Sequence, residues 1–151
     1  MRVRTTLLGA EEVVDVSEQQ IYAFDPGMGG FESLRRFALV PEEDSPVEWL
    51  ISLEDPDVSF AVIEPFVFRP LYAFELPDRD VQELGMLAPE DAAVRCMLTL
   101  NEDPALITAN LLAPLVFSRR THLARQVILE ESGHELRAPV FAGTDQVVLS
   151  A

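Results

Sequence analysis

The side chains able to act as bases, nucleophiles or metal ligands are few, and their spacing serves none of those roles. The chain has two histidines, His122 and His134, and one cysteine, Cys96. His122 follows Arg119-Arg120-Thr121 and His134 follows Gly133, so both read as loop histidines. No H-x-x-x-H or H-x-H spacing occurs, and no Cys/His cluster has the spacing of zinc ligands. A single cysteine excludes an intramolecular disulfide. A Ser/His/Asp hydrolase needs its serine on a strained turn, and no G-x-S-x-G is present. Gly27-Met28-Gly29-Gly30 lacks the Gly-Lys-Ser/Thr ending of a phosphate-binding loop. Its three glycines after Asp25-Pro26 read as a tight bend with positive backbone φ.

Carboxylates are the abundant chemistry. Twenty-six Asp and Glu face eleven basic residues, all of them Arg, for a net charge of −15 and a pI near 4.3. A carboxylate-pair mechanism stays chemically open. Most of these acids, however, fall in turn sequences, where they are solvated and suit the local geometry. A field of this sign repels phosphate backbones, which excludes direct nucleic-acid binding, and it favours basic partners. Between Phe37 and Phe68 stand eight acids, Asp55, Asp57 and Glu64 among them, and no base. They read either as solvated loops or as one negative face that steers a basic protein. If Val47, Trp49 and Ile51 point inward, Pro41–Pro46 and Glu54–Asp57 lie at opposite ends of one strand, and only folding can join them. In Thr108–Pro114, Asn110 offers donors and acceptors at a bend, with Leu111 as an apolar anchor. The alternative is a strand that breaks at Asn110, its leucines in the core.

These residues need a scaffold. At 151 residues the chain has one-domain length, with 48% hydrophobic and 25% charged residues. The hydrophobic period is mostly two: Val47, Trp49 and Ile51 on one face of a strand, and Val94, Cys96, Leu98 and Leu100 on one face of another. Ser59–Ile63 reads as a strand covered on both sides. Further strands are expected at Val3–Leu8, Val13–Val16, Gln20–Phe24, Arg36–Val40, Leu71–Glu75, Ala105–Ala109, Leu115–Ser118, Gln126–Glu130 and Gln146–Leu149. Turn signals separate them, so the sequence predicts an all-β fold, a small antiparallel β-barrel-like meander. One or two short helices accompany it, at Pro77–Leu84 and as a turn at Glu32–Arg36. Phe31, Trp49, Phe60, Ile63 and Leu98 are expected in the core. Residues 1–131 form the predicted domain, with 132–151 as an appendage. No apolar stretch suits a signal peptide or a transmembrane helix, which predicts a cytoplasmic protein without a membrane contact.

Several segments together resemble the FliW family of bacterial flagellar assembly factors. Phe24-Asp25-Pro26-Gly27-Met28-Gly29-Gly30-Phe31-Glu32 is similar to its early F-x-x-G-[LM]-x-G-F-E signature. Trp49-Leu50-Ile51-Ser52-Leu53-Glu54-Asp55-Pro56 resembles its W-L-x-S-L-x-D-P stretch. Phe60–Phe66 and Pro70-Leu71-Tyr72 follow in the family's order. Thr108–Pro114 resembles the T-x-N-L-x-[AG]-P block, and Gln126-Val127-Ile128-Leu129 the late Q-x-[IV]-L strand. Gly29 stands where the family usually has proline, and Leu71 where an acid commonly precedes the tyrosine.

The resemblance implies a cytoplasmic protein without catalytic activity or cofactor. It would bind CsrA, a small RNA-binding repressor, and also flagellin, so that flagellin synthesis is coupled to secretion. It also implies a noncompetitive mode of antagonism. Asn110 and Leu111 are the first expected contacts, and Glu64, Asp55 and Asp57 the second. The competing class is a small acidic β-barrel enzyme or ligand-binding protein. That class would show a closed pocket with converging polar groups.

Overall fold

The computed structural model describes residues 1–141, so the strand expected at Gln146–Leu149 lies outside the described residues. Strands β1 (Arg2–Leu7) and β2 (Ala10–Asp15) form a hairpin about Leu8-Gly9. Strands β3 (Ile21–Phe24), β4 (Arg36–Pro41), β5 (Val47–Ser52) and β6 (Ser59–Ile63) then run as an antiparallel meander. A long connection carries the helix α1 (Asp78–Glu83), whose first turn is acidic and which stops before Gly85 at φ +68°. Strands β7 (Ala92–Thr99), β8 (Thr108–Ala109), β9 (Leu115–Ser118), β10 (Leu123–Gln126) and β11 (Ala138–Pro139) follow.

The meander closes on itself. One edge of β7 pairs with β6 and the other with β9, while β10 hairpins from β9 and lies parallel to β3, Leu123 opposite Ala23. The result is the expected barrel, with seven strands in the ring and one parallel contact.

Three apolar clusters explain the burial pattern. Residues opposite each other in a ladder share a face. Leu50 and Phe60 point into the barrel with Phe24, Phe37, Val62 and Phe117. Trp49, Ile51 and Ala61 point outward and are covered by Val3 of β1 and by Val16. Ile63, Cys96 and Val116 point outward on the other side, beneath the β6–β7 connection and the chain after Val127.

Several expectations change for this reason. Trp49 and Ile63 are buried, whereas Phe60 and Leu98 are half-buried at cluster edges. Phe31 is 37% exposed: it lies on the turn after Met28 and meets the barrel edge-on at Phe60. The strand at Val47–Ile51 is buried on both faces, Leu50 fully, because an interior cluster and a hairpin cover it. Leu71–Glu75 pairs with no strand among the described residues, and Glu32-Ser33 forms a turn without a helix. Ala105-Leu106 belongs to a 3-10 turn, and the last hairpin strand lies at Leu123–Gln126, ahead of the Gln126–Glu130 expected. The appendage expected after Glu131 holds core residues: β11 pairs with β8, and Ala138 and Val140 are buried.

Candidate functional site

Between β8 and β9 the chain leaves the edge of β7 and returns to it. Thr108-Ala109 pair with Thr99-Leu98, and Leu115–Ser118 pair with Arg95–Ala92. Asn110–Pro114 therefore bulges out opposite Cys96-Met97. Asn110 makes this turn: its Oδ1 accepts from the amides of Leu112 at 3.1 Å and Ala113 at 3.0 Å. The neighbours complete it. Tyr72 Oη donates to the Leu111 carbonyl at 2.7 Å, and the Leu111 amide donates to the Glu135 carbonyl at 2.9 Å. The amides of Val127 and Leu129 donate to the carbonyls of Pro114 and Leu112. Leu111 is fully buried. The expected anchor is thus a core residue, and Asn110 spends its acceptor on the chain's own backbone. A bend flanked by leucines looks the same in sequence whether the leucine points in or out.

The expected acids separate. Asp55 and Asp57 share the β5–β6 turn, where Asp55 Oδ1 accepts from the Asp57 amide at 2.9 Å. Glu54 beside them is pinned. Its Oε1 accepts from the amides of Arg36 and Arg35, and these bonds hold its carboxyl below the usual range. Glu64 stands at the opposite end of β6, on the barrel end that also carries the Pro41–Pro46 loop. No single face joins Asp55, Asp57 and Glu64.

Glu64 instead borders an apolar groove of about 600 Å³ on the covered side of the barrel. Phe66, Tyr72, Phe74 and Leu76 of the β6–β7 connection form one wall, Val81 of α1 and Met86 another, and β7 the floor. Leu87, 76% exposed, and Phe66 stand at its rim. Two arginines reach it, and both are engaged. Arg95 meets Glu48 at 2.5 Å across β6, and Arg119 donates to the carbonyls of Glu90 and Ala92.

Arg125 and His134 hold this covering layer, whereas His122, like His134 read in sequence as a loop residue, is fixed against β3. The largely buried Arg125 guanidinium reaches Asp80 at 2.8 Å and Glu83 at 3.0 Å on α1, and also the Asp25 carbonyl. Glu83 is held below the usual carboxylate range by Arg125 and then Arg79. His134 Nε2 donates to the Ala73 carbonyl, and His122 stacks on Tyr22 with its Nδ1 on the Ile21 carbonyl. No local signal marks them, because their partners Asp80, Ala73 and Ile21 lie 45, 61 and 101 residues away. Among the described residues no three His, Cys, Asp or Glu side chains gather to hold a metal ion. No helix of the described residues is long and apolar enough to cross a membrane.

A closed seven-stranded ring, a covering layer on one side and an apolar groove in that layer define the class: a small all-β barrel with an apolar groove. Comparison with known proteins places it more narrowly. The family model described as FliW protein matches residues 3–140. The flagellar assembly factor FliW of Caldicellulosiruptor saccharolyticus is 37% identical over 139 residues, covering 92% of this chain and 90% of the relative. That of Thermotoga neapolitana is 39% identical over 137 residues, covering 89% and 90%. A crystal structure of the flagellar assembly factor FliW superposes with a TM-score of 0.83 at 28% identity, covering 93% of this chain and 96% of its own. The chain belongs to the FliW family, a family of flagellar assembly factors.

Proposed function

We propose that this protein acts in the cytoplasm as a binding protein that antagonises a CsrA-type RNA-binding repressor and also binds flagellin. One observation carries the reading: the family match runs from residue 3 to residue 140, through almost every described residue. The net charge of −15 supports it independently. A repressor that holds RNA carries a positive surface, which an acidic protein attracts and, once bound, makes less hospitable to phosphates. Glu64 on the groove and Asp57 on the opposite end of β6 are the proposed acidic contacts, with Asp55 shaping the Asp57 turn. Asn110 and Leu111 are assigned to the fold.

Calorimetric titration with the host's CsrA-type repressor and then its flagellin, each at two salt concentrations, tests the reading. Saturable repressor binding that weakens with salt and is lost to flagellin is the expected result. Binding to flagellin alone removes the translational role, and binding to neither overturns the reading.

A small-ligand barrel is the second reading, favoured by a groove of ligand-sized volume. Its weakness is chemical. The two arginines at the groove are committed to Glu48 and to backbone carbonyls, so few polar groups remain free to orient a ligand.

A further inference from the structure

The stretch Leu71–Leu76 has the burial rhythm of a strand and no strand beside it. Leu71 is 95% exposed, Tyr72 buried, Ala73 exposed, Phe74 half-buried, Glu75 exposed and Leu76 half-buried. Among the described residues, the backbone amides and carbonyls of Phe74, Glu75 and Leu76 form no hydrogen bond. The Ala73 carbonyl is taken by His134 Nε2 at 2.9 Å. In extended backbone, successive residues send their amide and carbonyl groups to opposite edges. The edge used by Ala73 therefore faces His134, and the groups of Phe74 and Leu76 face away, free.

This free edge belongs to the wall of the apolar groove, since Phe74 and Leu76 both line it. The surroundings select by charge. Glu64 lines the groove, and Glu75, Asp78 and Glu90 lie within two residues of lining residues along the chain. None of the four forms an ion pair among the described residues. Of the two lining arginines, Arg95 is paired with Glu48 and Arg119 is held on backbone carbonyls. A groove of about 600 Å³ has room for the apolar side chains on one face of a short strand, which stand about 6.5 Å apart.

We propose that Phe74–Leu76 is a docking edge that accepts one extended segment of a partner protein, with apolar residues at alternate positions and basic residues between or beside them. Main-chain hydrogen bonds to Phe74 and Leu76 supply affinity, the groove reads the apolar side chains, and the acids read the bases. The assignment rests on the protein-binding function proposed above and gives it a surface.

The test is residue-resolved amide hydrogen exchange on the full chain, alone and saturated with the CsrA-type repressor or with flagellin, calorimetry reporting binding in the same samples. The amides of Phe74 and Leu76 should exchange fast in the free chain. In one complex they should slow by at least about tenfold, and the Glu75 amide, on the other edge, should not. Glu75→Arg should weaken that complex by about tenfold and Glu12→Arg, on the exposed face of β2, by less than about twofold. Saturable binding without slowing at Phe74 and Leu76 overturns the docking edge and leaves the partner reading standing. Binding to neither protein overturns both. Slow exchange at these amides in the free chain, before any partner is added, shows the edge already occupied and overturns the proposal.

Discussion

Tyr72 and Leu111 lie 39 residues apart, and the Tyr72 hydroxyl donates to the Leu111 carbonyl at 2.7 Å in a buried site. The bond ties the β6–β7 connection to the bulge between β8 and β9, so the groove wall and the barrel edge stand or fall together. Tyr72→Phe removes the donor and strands a buried carbonyl. The expected cost is about 1–3 kcal/mol, a drop in melting temperature of about 2–4 °C per kcal/mol, read by thermal unfolding.

Tyr72 and the buried Cys96 beside it set an alkaline limit. Burial raises the Tyr72 phenol above its usual range and pushes the Cys96 thiol up to about 12. Both groups stay protonated in the fold while they ionise in the unfolded chain. Above the ordinary cysteine and tyrosine ranges the native state binds more protons, so stability falls as pH rises. Denaturant midpoints should decline from about pH 8 to about pH 10.5, and Cys96→Ala should flatten the early part of the decline.

Asn110→Ala leaves the amides of Leu112 and Ala113 without their shared acceptor. It should cost about 1–2 kcal/mol and lower the melting temperature, with repressor affinity at low temperature changed less than about twofold. Asn110→Asp keeps the acceptor and should recover most of the loss. Normal melting with lost binding would return Asn110 to the interface.

Arg125→Ala unties α1 from the barrel, leaving half-buried Asp80 and the Asp25 carbonyl without their donor. A loss of about 2 kcal/mol is expected. Amide exchange in Asp78–Glu83 should accelerate more than in β4 or β5, and Arg125→Lys should rescue little of it. Glu83 contributes in the same direction with acid. Its folded carboxyl titrates below its unfolded one, so its stabilisation is complete above the ordinary carboxylate range and is lost as pH falls through the lowered value.

Gly27→Ala would place a Cβ 2.6 Å from the Glu32 carbonyl oxygen. Backbone on both sides of that contact cannot yield cheaply. The variant should lose about 1–3 kcal/mol, and Gly29→Ala, which meets nothing closer than 3.9 Å, should lose far less.

The strands were readable where one face met water or where an apolar run sat between turn signals, as at Ser59–Ile63 and Leu115–Ser118. Sequence period reports exposure, and it reports pairing only when a neighbouring strand exists. Leu71–Glu75 has the period without a paired neighbour. Val47–Ser52 has the neighbours, but two covering layers bury both of its faces, and its alternation reports chemistry without solvent. Contacts that join distant segments left no local trace. Arg125 reaching Asp80, and Tyr72 reaching Leu111, depend on a ring closure that no window of the sequence contains. The acids were legible as a count, and their division between the two ends of β6 was not.

Ring closure also fixes when the protein can finish folding. Strand β3 is complete at Phe24, but Ala23 finds its parallel partner only at Leu123, one hundred residues on. Until the ribosome has delivered β9 and β10, strands β3–β6 form an open sheet with a bare edge, a surface prone to pair with other chains. The barrel therefore cannot close before β10 has been made. Nascent chains interrupted before Gln126 should aggregate, and the closing step, burdened by that loop, should set the refolding rate.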